Sequence, residues 1–118
     1  MNQGDMFRLA TQVSGLHMWI VLSQGVLCPL DTVYVASLTK IQPGKLIDYS
    51  CVLKPADHPG VITCECFVKY RDILDLRVEH LTLRPEDKLA RLPEATLVKV
   101  LAGARKSKHF PPRFIRYL

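Results

Sequence analysis

The amino-acid sequence predicts a mainly β domain, built as a small barrel with a helix at its C-terminal end. Two observations favour this class. Short apolar runs rich in β-branched and aromatic residues alternate with Gly- and Pro-containing turns as far as about residue 80. After residue 84 the apolar residues recur every three or four positions, which is typical of a helix. At 118 residues, 48% of them hydrophobic, we expect one domain that covers residues 1–118.

The predicted strands follow one another at barrel-like spacing. We expect strands at about residues 6–9, 16–23, 32–39, 49–53 and 61–68, so that the barrel occupies about residues 4–80. The turn at residues 42–45 contains Pro43 and Gly44, which each supply a preferred turn geometry. The segment 54–60 holds two prolines and a glycine, and we interpret it as a loop. Trp19 lies in the middle of an apolar strand and is predicted to be part of the core.

Two helices are predicted at the C-terminal end. Pro85, followed by acidic residues, is typical of a first helical turn, and we expect a helix at about 85–91. A second helix at 93–104 carries an apolar stripe formed by Leu97, Val100, Leu101 and Ala104. Residues 105–118 form a basic tail, which can be a solvated end or a nucleic-acid contact.

The composition and the residue pattern limit the cellular locations and the cofactors that we expect for this protein. Neither a secretory signal pattern nor an apolar run long enough to cross a bilayer is present, so we expect a cytoplasmic protein with no membrane partner. The four cysteines are interpreted as reduced core residues, because a Cys-x-Cys pair is a weak metal-ligand pattern. The net charge of +5 is compatible with a nucleic acid or an acidic protein as partner.

The order of several short motifs resembles that of the PemK/MazF group of toxin proteins, which includes the Kid and CcdB relatives. The similarity covers about residues 4–104 and depends on the shared order of motifs that are each weak alone. The matching segments are Gly4-Asp5 before the first strand, Val21-Leu22-Ser23, Val35-Ala36-Ser37-Leu38-Thr39, Val68-Lys69-Tyr70-Arg71 and the helix motif that starts at Leu92-Pro93.

The resemblance implies the toxin of a type II toxin–antitoxin pair, most often an endoribonuclease that cleaves single-stranded RNA. It also implies a homodimer, a cognate antitoxin as partner, and chemistry without metal or cofactor. Thr39 matches the threonine that such ribonucleases use after the third strand. Their arginine before the second strand has no counterpart, because His17 is the only titratable residue between Gly15 and Ser23.

This departure leaves three functions open. His17 can replace the arginine as a proton carrier beside Thr39, with Lys40 or Arg71 as electrostatic help. Alternatively, the chain is a CcdB-like toxin that binds a protein, or an RNA-binding module without cleavage. Asp57 and His58, in the Pro-bounded loop, are weaker substrate-binding candidates, because an Asp can orient an imidazole.

Overall fold

The computed structural model describes residues 1–11 and 15–118. Its main element is a curled, antiparallel sheet that forms half a barrel, with one α-helix near the C-terminus, and the predicted fold class is therefore confirmed. The strands are arranged in the order β4-β5-β3-β2-β1-β6. Their bounds are β1 Met6–Thr11, β2 Gly15–Val21, β3 Thr32–Lys40, β4 Val52–Leu53, β5 Cys66–Arg77 and β6 Lys88–Leu89, and the helix α1 is Glu94–Lys106.

The central strand β3 carries apolar side chains on both of its faces. Ala36 and Leu38 belong to the larger core, whereas Val33 and Val35 belong to a smaller one on the opposite face with Trp19. This assignment follows the two-residue alternation of a strand. A strand that is covered on both faces reads as a continuous apolar run rather than an alternating one, and this is the pattern in the sequence.

The apolar stripe of α1 closes the larger core. Leu97, Val100 and Ala104 are buried there, and Leu101 packs against the same cluster. Gly103 lies at a close approach of the helix to its neighbours, because a Cβ at this position would stand 2.6 Å from the Tyr70 hydroxyl oxygen. The glycine therefore sets the distance between the helix and the sheet.

A large bulge bends β5 in its middle. The pairing with β3 steps from Val35–Leu74 to Ser37–Lys69, so that residues 70–73 of β5 lie across from Ala36 alone. Such a bulge re-aims side chains and increases the local twist. Tyr70 lies on the core face of β5 with Cys66 and Val68, and its hydroxyl donates a hydrogen bond to the Val100 carbonyl oxygen. Burial raises the pKa of Tyr70 well above its usual value.

The predicted helix at 85–91 is wrong. Only a short 3-10 turn forms, Pro85–Asp87, and the chain then continues as β6, which pairs with the start of β1. The acidic residues after Pro85 fit a helical turn, but no strong N-cap residue precedes it. Pairing with the free edge of β1 satisfies the backbone of Lys88 and Leu89 instead.

The strand predicted at 61–68 begins later than expected. The backbone N–H groups of Val61 and Ile62 donate to the His58 carbonyl oxygen, which continues the loop, and β5 starts only at Cys66. Cys51 and Cys66 are buried in the core, as predicted, whereas Cys28 is half-buried and Cys64 is exposed, so the prediction of core cysteines holds for two of the four. Burial raises the pKa of the Cys66 thiol to about 12, so this sulfur stays protonated at neutral pH.

The basic tail is folded onto the sheet rather than solvated. Phe110 and Leu118 are buried, and a 3-10 turn, Pro112–Tyr117, follows. The ring of Tyr117 lies 4.6 Å from that of Tyr34, centroid to centroid. The tail's aromatic residues thus anchor it, while its arginines remain exposed. Within the described part of the chain, no helix is long and apolar enough to cross a membrane.

Candidate functional site

A groove of about 400 Å³ opens beside the bulge in β5. Its walls are the end of β3, the first half of β5, residues of the 42–48 loop and His109, which follows α1. Phe67 and Tyr70 are the buried aromatic residues of its lining. Tyr70 and Arg71 belong to the bulge, whereas Phe67 and Lys69 come just before it and pair with β3.

Positive charge dominates the groove. Lys40, Lys45, Lys69 and Arg71 line it, against the single carboxylate of Asp48 among the described lining residues. Lys69 is partly neutralised, because its Nζ lies 3.1 Å from Asp72. The remaining cations give a cleft that attracts anions, and a guanidinium can hold a phosphate group through two hydrogen bonds.

Thr39 contributes a hydroxyl to the same groove. It pairs with Phe67 near the end of β3, and its side chain is half-buried. Its Oγ1 atom is shielded from water and has no hydrogen-bond partner within residues 1–11 and 15–118. A buried hydroxyl that lacks a partner costs free energy, which distinguishes Thr39 from the other residues that line this cleft.

Asp48 is held in place on the wall of the groove. The hydroxyl of Ser107 and the backbone N–H of Ser50 donate hydrogen bonds to its carboxylate. Partial burial by itself would raise the pKa of Asp48, but the hydrogen bonds from Ser107 and Ser50 lower it below the usual value. Ser107 also accepts a hydrogen bond of 3.0 Å from the backbone N–H of His109.

The lowered pKa predicts an acid-sensitive contribution to stability. Because the pKa of Asp48 in the folded chain lies below 3.8, the value expected when unfolded, this contribution is present above that pH and lost as the pH falls through the folded pKa. Ser107→Ala is therefore expected to lower the free energy of unfolding at neutral pH and to reduce its fall in acid. Urea unfolding between about pH 2 and pH 6 measures both effects, and parallel curves for the two proteins would contradict the prediction.

His17 lies inside β2, within the strand predicted at about residues 16–23. Its Nδ1 is 3.3 Å from the Leu38 carbonyl oxygen, which can only accept a hydrogen bond. The β2–β3 register pairs Met18 with Leu38, and one further step in that register places His17 opposite Thr39. His17 lines a second pocket of about 420 Å³, and Lys40 borders both this pocket and the groove.

Asp57 and His58 are not part of the groove. The Asp57 carboxylate accepts from the Lys54 backbone N–H at 2.7 Å and lies 3.4 Å from Lys99 Nζ. His58 is buried, and its Nε2 lies 2.8 Å from the Ala90 carbonyl oxygen. These contacts tie the 54–60 loop to α1 and to the segment before it, so both residues have structural roles.

Four of the Lys, Arg, Asp and His residues in the groove lining were not identified from the sequence: Lys45, Asp48, Lys69 and His109. Lys45 belongs to a segment that the sequence marks only as a turn, and Lys69 is an ordinary surface position of a strand. His109 belongs to the basic tail, whose charge is visible in the sequence. Nothing local shows that the tail returns to the groove, because its path depends on the buried Phe110 and Leu118.

The fold and the groove together define a small half-barrel domain with a cation-lined cleft beside an unsatisfied hydroxyl. A solved structure described as an endoribonuclease in complex with its cognate antitoxin, from a mycobacterial species, matches it with a TM-score of 0.62. The match covers 94% of this chain and 95% of that one, at 18% sequence identity, and it establishes the shared fold. No protein-family profile matches the chain, and no curated protein sequence matches it.

Proposed function

We propose that the chain is the toxin of a type II toxin–antitoxin pair and cleaves single-stranded RNA without a metal ion. The observation that carries this proposal is the Thr39 hydroxyl, buried and unsatisfied among the described residues, in a groove lined by Lys40, Lys45 and Arg71. The likeness in fold to an endoribonuclease that has an antitoxin supports it. So does the motif order that resembles the PemK/MazF toxins.

Each groove residue has a defined task in this reaction. Cleavage at a ribose develops negative charge on the phosphorus-bound oxygens, which cations and hydroxyl donors stabilise. Arg71 is the guanidinium that the groove offers in place of the missing family arginine. Thr39 donates to a phosphate oxygen, and Lys40 and Lys45 hold the neighbouring phosphates. His17, beside Thr39 in the strand register, borders the adjoining pocket.

The proposed partners follow from the same surface. A cognate antitoxin with an acidic or disordered segment would neutralise the toxin, in the cytoplasm, by covering the cation-lined groove. We also propose a homodimer. The Leu97 and Leu101 stripe cannot form its interface, because those side chains pack into the core of their own chain. Light scattering that gives the monomer mass of 13.4 kDa at micromolar concentration would exclude the dimer.

The proposal is tested by incubating the purified chain with mixed single-stranded RNA in excess chelator. We expect discrete fragments that end in a 2′,3′-cyclic phosphate or a 3′-phosphate. RNA affinity is expected to fall with salt, with a logarithmic slope of about −0.7 for each phosphate contact. Arg71→Glu should weaken binding and cleavage, whereas Arg105→Glu, on the exposed end of α1 and outside the groove lining, is the matched charge control.

Two outcomes of this experiment would contradict RNA cleavage and favour a different function. RNA binding with the same salt slope but no fragments would indicate an RNA-binding module. Neither binding nor fragments would favour a CcdB-like toxin that binds a protein, a function that the missing arginine between Gly15 and Ser23 already makes a specific alternative.

A further inference from the structure

His109 is the histidine that the described part of the chain brings into the groove. The sequence has four histidines. His58 is buried against the Ala90 carbonyl, and His80 lies beside Glu79 after the end of β5. His17 belongs to the adjoining pocket, whereas His109 shares the groove with Thr39 and its cations.

Two side chains, those of Ser107 and Asp48, fix the position of His109. Its backbone N–H donates to the Ser107 hydroxyl at 3.0 Å, and that hydroxyl donates to the carboxylate of Asp48. Ser107 is itself buried directly after the end of α1, so this short chain of hydrogen bonds joins the helix end to the 42–48 loop. The main chain of His109 is thus held while its side chain remains exposed in the groove.

Charged groups of both signs surround His109 in the groove. Asp48 is close enough to interact electrostatically with His109. Lys40, Lys45, Lys69 and Arg71 line the same groove, where they attract the phosphates of a bound RNA. Imidazole is also the side chain best suited to exchange protons near neutral pH.

We propose that His109 is the general acid of RNA cleavage in this groove, an inference that rests on the proposed ribonuclease function. The 2′-oxygen attacks the neighbouring phosphorus while its proton passes to water. The bond from phosphorus to the 5′-oxygen breaks, and the imidazolium of His109 gives its proton to that departing oxygen. The products are a 2′,3′-cyclic phosphate and a free 5′-hydroxyl, with a neutral imidazole that water reprotonates.

The test compares the full chain with His109→Gln, which keeps a polar side chain of similar size but cannot carry the proton. We expect cleavage of ordinary RNA to fall by about 10²- to 10⁴-fold. Affinity for RNA that carries 2′-O-methyl groups, which cannot be cleaved, is expected to change little. His80→Gln is the matched control, because His80 is exposed and outside the groove lining, and it should cleave normally.

A second RNA substrate tests whether His109 acts at the step in which the 5′-oxygen departs. When sulfur replaces the departing 5′-oxygen, the leaving group no longer needs a proton, and His109→Gln is expected to cleave this RNA nearly as fast as the unchanged protein. A loss that the sulfur substrate does not restore would overturn the acid role. Normal cleavage of ordinary RNA by His109→Gln would overturn the inference and leave the proposed function standing. Failure of the unchanged chain to cleave either RNA would overturn both.

Discussion

Replacing Thr39 by valine is expected to lower RNA cleavage by about 10- to 100-fold while the free energy of unfolding stays the same or rises slightly. Valine keeps the β-branched shape that suits β3 and removes only the hydroxyl. Because Thr39 Oγ1 is buried without a partner among the described residues, its removal relieves a desolvation cost in the free protein. The same hydroxyl is proposed to donate a hydrogen bond to a phosphate oxygen during cleavage, so its removal is expected to slow the reaction.

Thr96→Val is the matched control for this experiment. The Thr96 hydroxyl donates to the Asp57 carbonyl oxygen at 2.6 Å and is buried outside the groove. The same substitution is therefore expected to destabilise the fold by about 1–3 kcal/mol and to leave cleavage by the folded protein unchanged. Urea unfolding and cleavage rates measured on both variants give the comparison. Unchanged cleavage in Thr39→Val would remove Thr39 from the proposed site.

Gly103→Ala is expected to destabilise the fold strongly, although alanine is the better helix former by about 1 kcal/mol. A Cβ at this position would stand 2.6 Å from the Tyr70 hydroxyl oxygen, 2.7 Å from Cys51 Cβ and 2.9 Å from the Ser50 carbonyl oxygen. None of these is the free end of a flexible side chain. The helix must then move away from the sheet, which we expect to cost about 3 kcal/mol, or roughly 10 °C in Tm.

Gly25→Ala is the control for Gly103→Ala. A Cβ at Gly25 meets no atom within 4 Å, so the substitution is expected to leave Tm nearly unchanged. Differential scanning calorimetry on both variants measures the difference. An increase in Tm for Gly103→Ala would mean that helix propensity outweighs the close approach, and would contradict the packing described for α1 and β5.

Local pattern was sufficient for the main elements of the fold. Three segments have a clear hydrophobic pattern in the sequence: the apolar run that contains Trp19, the β-branched run of β3, and the stripe of Leu97 and Val100. In the structure the first two are strands and the third is a helix. The class and the order of these elements follow from such signals, because burial of one face demands that periodicity. Thr39 and Arg71, two of the candidate site residues, line one groove in the structure, and their role in a site stays a prediction.

The failures have a common physical origin in contacts between distant parts of the chain. Lys88 and Leu89 form a strand because the edge of β1 is free to pair with them, and this outweighs the helical signal that begins at Pro85. Asp57 and His58 are the weaker substrate-binding candidates of the sequence, and in the structure their polar groups hold a loop to other segments. A motif of two adjacent residues cannot show which distant groups will form hydrogen bonds or ion pairs with those residues.

The sequence by itself determined a basic, mainly β chain with one amphipathic helix and a threonine at the end of the third strand. Only the tertiary structure decided which of the basic residues lie together in the groove. The end of β3, the first half of β5 and the 42–48 loop meet at the groove, and the folded tail carries His109 into it. The pairing of β3 with β5 depends on strand register, and the path of the tail depends on burial of Phe110 and Leu118. Both are long-range effects that no local pattern encodes.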